Sequence, residues 1–227
     1  MPLGMPPSDG LDQFPRRALD GQLHRIHLER DPATGELREP WWFASTEPHD
    51  AGEGGRFDLQ PPAGTCYLAE SLIGAALEVF PSHMGLVPSS ALRRRRGIEI
   101  TVPDDAPHAG DFTAVAARGF GVNAEIHSTP VRPVTRAWAE ALFAAGWRAL
   151  RTFIRHDPAQ REAAVALLEP LGGSHPPTCG SSWTGRTFPL HGDEALADEL
   201  ARFGIEIVPG DLENPDIIDA HDAFEPG

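Results

Sequence analysis

Residues 54–80 read GGRFDLQPPAGTCYLAESLIGAALEVF, which sets an arginine, a tyrosine and a glutamate around one expected strand and one expected helix. Gly54 and Gly55 let the backbone turn sharply or approach a ligand, and Arg56 follows with a planar fork suited to paired phosphate or carboxylate oxygens. Pro61 and Pro62 break the chain. Thr65 to Ala69 reads as a short strand, rich in β-formers and bounded by Gly64. Alternation puts Cys66 and Leu68 on one face and Thr65 and Tyr67 on the other, so that Tyr67 can face a cleft. Leu72, Ala75, Ala76, Val79 and Phe80 then recur at helical spacing, the stripe of a helix lying on a core. Glu78 falls off that stripe, beside Ser71 and Gly74, where a residue without a side chain leaves room for a close approach. Each of these residues alone also fits an ordinary surface position. Together they outline the wall of a small-molecule site.

The rest of the chain bounds what that site serves. The 227 residues show no internal repeat, which predicts one domain over residues 20–209 between a loose, Pro-rich arm (1–19) and a frayed acidic tail (210–227). Hydrophobic residues at 41% with 23 Gly and 23 Pro point to a mixed α/β (α+β) fold with many turns rather than a helical bundle. A formal charge of −14 argues against a general binder of nucleic acid or anionic membrane, while a local arginine cluster still suits a small anion. Cys66 and Cys179 have no metal-ligand spacing, and a buried free thiol in the Thr65–Ala69 strand fits a reducing cytoplasm. With no apolar leader and no 18-residue apolar run, the expectation is a soluble protein that is not exported.

Along the chain, Leu23 to Leu28 reads as the first strand, with Arg25 inside it and His24 and His27 on opposite faces, unable to share a metal. Trp41, Trp42 and Phe43 anchor a further strand and belong to the core. The Arg93–Arg96 run reads as a solvated turn before a strand at Ile98–Val102. A helix is expected over Thr135–Trp147 with Trp138, Ala141, Leu142 and Ala145 inward, then a strand over Trp147–Ile154. Asp157, Pro158 and Gln160 look like a capped helix start running to about Leu168. Residues 170–187 read as a long loop, a lid, binding loop or disordered stretch. A helix over Asp193–Phe203 and a strand over Ile205–Val208 close the fold. Gly119, Gly121 and Ala124 have dinucleotide-turn spacing, but Pro130 and Pro133 exclude the long helix that motif needs. The absence of HExxH, Walker, CxxC and nucleophile-elbow patterns weakens metal hydrolase, NTPase, redox and serine-hydrolase readings.

The order LHRIH, GGRFD, GTCYLAES with ALEVF, AWAEALFAAGW and IRHDP resembles the RES domain family across Leu23 to Val208. That resemblance implies a compact fold akin to ADP-ribosyltransferases, with a central mixed sheet flanked by helices. It implies cleavage of the nicotinamide–ribosyl bond of NAD by phosphorolysis or hydrolysis, with inorganic phosphate as a possible co-substrate and no other cofactor or metal. Many relatives are toxins restrained by an antitoxin protein, and a homodimer is the default expectation. Carried over by position, the family's two arginines fall on Arg25 and Arg56, its tyrosine on Tyr67 and its glutamate on Glu78. The arginines would hold phosphates, Tyr67 would position the nicotinamide end, and Glu78 would hold the ribose hydroxyls and stabilise an oxocarbenium-like cation. The family serine, which precedes an arginine at the end of the late strand, is replaced here by Ile154 before Arg155. An isoleucine neither donates nor accepts a hydrogen bond; Thr152, on the same strand face, and Ser174, in the following loop, are the candidates to substitute. The alternative expectation is a catalytically weak RES-fold module that binds a nucleotide or a protein partner.

Overall fold

The computed structural model describes residues 2–48, 52–80 and 85–210, so the expected acidic tail beyond residue 210 lies outside the described residues. In chain order the elements are β1 (Arg16–Arg17), β2 (Gln22–Leu28), β3 (Gly64–Ala69), α1 (Leu72–Val79), β4 (Leu86–Pro88), α2 (Ser89–Arg93), β5 (Arg95–Thr101) and β6 (Ala109–Asp111). There follow α3 (Glu125–Ser128), α4 (Arg132–Ala144), β7 (Ala149–Phe153), β8 (Ala163–Glu169), β9 (Thr184–Pro189), α5 (Glu194–Arg202) and β10 (Glu206–Val208). Eight of these strands form one mixed sheet in the order β1-β6-β7-β8-β3-β2-β5-β9, and β10 pairs with β4. The expected mixed α/β class, a central mixed sheet flanked by helices, is the one observed.

One face of the sheet carries two apolar clusters side by side. Trp138 and Leu142 of α4 pack with Phe57, Phe112, Leu150 and Leu168, while α1 packs with Ile26, Leu92, Ile154, Leu196 and Leu200. The other face holds Leu23, Cys66, Leu68, Ile98, Ile100 and Val165 beneath Trp41, Phe43 and Trp183. Tyr67, Thr152, Ala164 and Ala166 therefore lie on the seam between the two helical halves. The sheet also opens there. Strands β2 and β3 pair only where His24 opposes Ala69, and beyond that point β2 is held by β5 alone.

Several expectations are corrected. Asp157 starts no helix: its carboxylate accepts from the N–H groups of Ala159, Arg161 and Glu162, and Gln160 takes a left-handed φ of 52° that a helix start cannot use. The apolar run that follows is β8, buried along its whole length between β7 and β3; such a run looks the same as a buried helix in sequence. The N-terminal arm is not loose, since Leu3, Leu11 and Phe14 are buried in the α4 cluster and the indoles of Trp138 and Trp147 donate to Gly4 and Leu11 carbonyls. Helix α4 begins three residues before the expected start because Pro133 sits in its first turn, where a missing N–H costs nothing. Its buried face uses Thr135 and Ala139 with Trp138 and Leu142. Phe43, Ala44 and Ser45 make isolated bridges rather than a strand. Arg95 is part of β5 and buried, over the Phe80 ring, so the arginine run is not a solvated turn. The expected 170–187 loop ends earlier, since Thr184–Pro189 is the edge strand β9 paired with β5; the remaining 170–183 are tied down by Glu169, which accepts from Thr178 and Cys179, on the face away from the seam.

Candidate active site

The GGRFD turn is a clamp that presents Arg56. The buried Asp58 carboxylate accepts from the Gly55 N–H at 2.6 Å, the Thr46 hydroxyl at 2.7 Å and the Tyr67 hydroxyl at 2.7 Å. The Tyr67 oxygen in turn accepts from the Phe57 N–H at 2.9 Å. A Cβ at Gly55 would collide with the Tyr67 hydroxyl and Asp58, and one at Gly54 with Thr46 and Asp58, which is why two glycines stand there. Arg56 follows this turn with its guanidinium buried, donating to the carbonyls of Ile126 and His127. The Thr135 hydroxyl of α4 holds the Arg56 carbonyl. Burial lowers the Arg56 pKa and the neighbouring Glu78 raises it. Burial and Asp58 push the Tyr67 phenol well above its ordinary range, so it stays protonated.

Two chambers meet at Arg56 and Glu78. The first, of about 110 Å³, is the wedge where β2 leaves β3; it is lined by Phe57, Tyr67, Ile26, Leu68, Val79 and Thr152 among others. The second, of about 170 Å³, is lined by Arg132, Arg155, His156, Thr129 and Gly52. Each is far larger than the ~10–15 Å³ one water needs. The first is mainly aromatic and aliphatic, with His24, His27, Arg95 and Thr152 also in its wall, the second carries Arg132 and Arg155, and both have Arg56 and Glu78 in their walls. Glu78 projects from the last turn of α1 and accepts from the Arg155 N–H at 3.2 Å, which ties the end of α1 to the turn after β7.

The structure brings Arg56, Tyr67, Glu78, Thr152 and Arg155 to this cleft. Arg25 borders the apolar chamber, but its guanidinium is turned to the opposite face of the sheet, donating to the Pro40 carbonyl at 3.0 Å and the Cys66 sulfur at 3.1 Å. Ser174 lines neither chamber; its hydroxyl donates to the Trp41 carbonyl. Ile154 also lines neither chamber. It is buried in the α1 cluster, and its Cδ1 takes the space that Gly74 leaves open. The room expected at Gly74 for a ligand is thus filled by the residue that replaces the family serine. Around it, α1 is buried at Ile73, Gly74, Ala75, Ala76 and Leu77, a wider face than the stripe predicts, because α5 packs on its outer side.

Sequence reasoning missed Asp58, His127 and the side chains of Arg132 and His156. The aspartate stood inside GGRFD and could have been read as the turn's acceptor; His127 carried no local signal. Its Nδ1 lies 2.8 Å from the Thr152 hydroxyl and accepts from the Phe153 N–H at 3.2 Å. Burial and the Arg56 charge, opposed by Asp111, lower its pKa to about 4. Among the described residues no cluster of three or more potential metal ligands occurs, and no helix is long and apolar enough to cross a membrane.

The sequence profile of the RES domain matches residues 22–191, well over half of the chain. The chain belongs to the RES domain family. In three dimensions this RES domain is similar to a chain in the crystal structure of the M. tuberculosis MbcT–MbcA toxin–antitoxin complex, at 16% identity and a TM-score of 0.54, covering 85% of this chain and 94% of that one. At that identity the likeness shows the shared fold. No curated protein sequence matches the chain.

Proposed function

We propose that this RES domain cleaves the nicotinamide–ribosyl bond of NAD, with phosphate or water as acceptor. The observation that carries this is the two-chambered cleft: an aromatic, apolar half and a cationic half that share Arg56 and Glu78. A dinucleotide with a flat, amide-bearing ring at one end and a pyrophosphate beyond the adjoining ribose has the same order of chemistry. The ring would lie against Tyr67 and Phe57, the ribose beside Glu78, and the phosphates against Arg56 and Arg155. As the C–N bond breaks, its electron pair leaves with neutral nicotinamide, and positive charge grows on the ribose. The Glu78 carboxylate is placed to oppose that charge. An oxygen of phosphate or water then bonds the anomeric carbon, and its proton passes to solvent. Arg56 and Arg155 set two positive charges against the single carboxylate of Glu78, a balance that favours an anion beside them.

The MbcT–MbcA likeness and family membership support a toxin-like role restrained by an antitoxin protein, in a cytoplasm where NAD is present; a homodimer remains part of this proposal. The binding-module alternative draws on Ile154, which leaves the serine position without a polar group. The test is NAD loss by purified protein with and without inorganic phosphate, against Arg56→Ala. Loss that is faster with phosphate and at least about 10²-fold slower in the variant supports the proposal, on the scale of losing one charge-stabilising group. No loss from folded protein in either buffer rejects it in favour of the binding module.

A further inference from the structure

Thr152 has a hydroxyl whose direction is fixed from behind. It sits on β7 facing the seam, lines the apolar chamber, and lies 2.8 Å from His127 Nδ1. A backbone N–H can only donate, and the Phe153 N–H points at that same Nδ1 at 3.2 Å. Nδ1 therefore carries the lone pair and the imidazole proton is on Nε2; the Thr152 hydroxyl, 2.8 Å from that lone pair and 3.4 Å from the Phe153 carbonyl, gives its hydrogen to one of these two acceptors, His127 being the nearer. Burial keeps this imidazole neutral, its pKa lowered to about 4. With its one hydrogen committed, Thr152 Oγ1 offers the chamber lone pairs only. A buried acceptor beside the alanines Ala164 and Ala166 selects for a group that donates, since a partner lacking the hydrogen leaves it unpaired.

We propose that Thr152 is the specificity-determining residue of the apolar chamber, accepting a hydrogen bond from the carboxamide N–H of the pyridinium ring, and that His127 is the positioning residue that holds it as an acceptor; this rests on the NAD reading above. In that role Thr152 supplies a polar group to a chamber wall that Ile154, turned into the core, does not reach.

The experiment compares kcat/KM for NAD and for its 3-acetylpyridine analogue, which has the ring carbonyl but no N–H, in the wild-type protein, Thr152→Val and Thr152→Ser. Intrinsic reactivity of the two substrates cancels when the ratio is compared between proteins, and partial loss of folded protein cancels too. The expected result is a wild-type preference for NAD that shrinks about tenfold in Thr152→Val and is kept in Thr152→Ser. His127→Phe, with Thr152 intact, loses the same preference, which a merely structural role would not produce. A ratio unchanged by Thr152→Val, in a protein that still consumes NAD, overturns this inference and leaves the NAD reading standing. A folded wild-type protein that consumes neither dinucleotide overturns both.

Discussion

Ile154 stands where the RES resemblance puts a serine, and its surroundings say what the exchange has done. The side chain is 1% exposed, packed against Gly74 at the start of α1, and borders neither chamber of the cleft. Serine in its place would open a void beneath α1 and bury a hydroxyl, at a cost of about 3 kcal/mol by analogy with other large-to-small core changes. Ile154→Ser is therefore expected to lower stability by that order in urea denaturation without raising NAD turnover. A variant that turned over NAD faster at unchanged stability would show that residue 154 reaches the site. Tyr67 makes a complementary case: its hydroxyl is spent on Asp58 and the Phe57 N–H, so the ring, rather than the phenol, is the part left to meet a ligand.

Strand β2 shows how one element serves both stability and the site. It parts from β3 after His24, opening the wedge, and it carries His27 at 5% exposure. His27 donates through Nδ1 to the Leu28 carbonyl, which leaves Nε2 as a buried acceptor with no partner among the described residues. Burial and the Arg25 charge lower its pKa from 6.5 to about 4, as burial does for His127. Both groups bind protons more readily in the unfolded chain. Stability is thus complete above about pH 6.5, falls as pH drops from there, and has lost this contribution by about pH 4. Thermal melts across that window are expected to show the decline, with a shallower slope in His27→Gln; identical slopes would mean that His27 is not held neutral. The elements carrying the site were legible where period and punctuation agreed. Strands β2 and β3, helix α1 and the GGRFD turn were readable, and the structure places their Arg56, Tyr67 and Glu78 around one chamber. Strand β8 was not, because Ala163–Glu169 is apolar on both faces and followed a residue triplet with the chemistry of a helix cap. Arg25 was read onto the right strand, but its direction is set by the Pro40 carbonyl and Cys66, tertiary partners that spacing does not reveal.

At the scale of the whole molecule, the cleft exists because one sheet face supports two helical halves that do not merge. Residues 3–14, read as a loose arm, help to build the α4 half: Leu3, Leu11 and Phe14 are isolated apolar residues with no periodicity, and only the folded chain shows them meeting Trp138. Between the halves the sheet splits, and the two chambers join where Arg56 and Glu78 face each other. In the proposed reaction this junction breaks the nicotinamide–ribosyl bond, with Glu78 opposing the charge that develops. The most direct measurement is nicotinamide released from saturating NAD by the wild-type protein and by Glu78→Gln, each with its NAD affinity determined separately. The expected result is release by the wild type and a fall of about 10²-fold or more in Glu78→Gln, with binding little changed. Equal release by the two proteins, or none from folded wild-type protein that binds NAD, would contradict it.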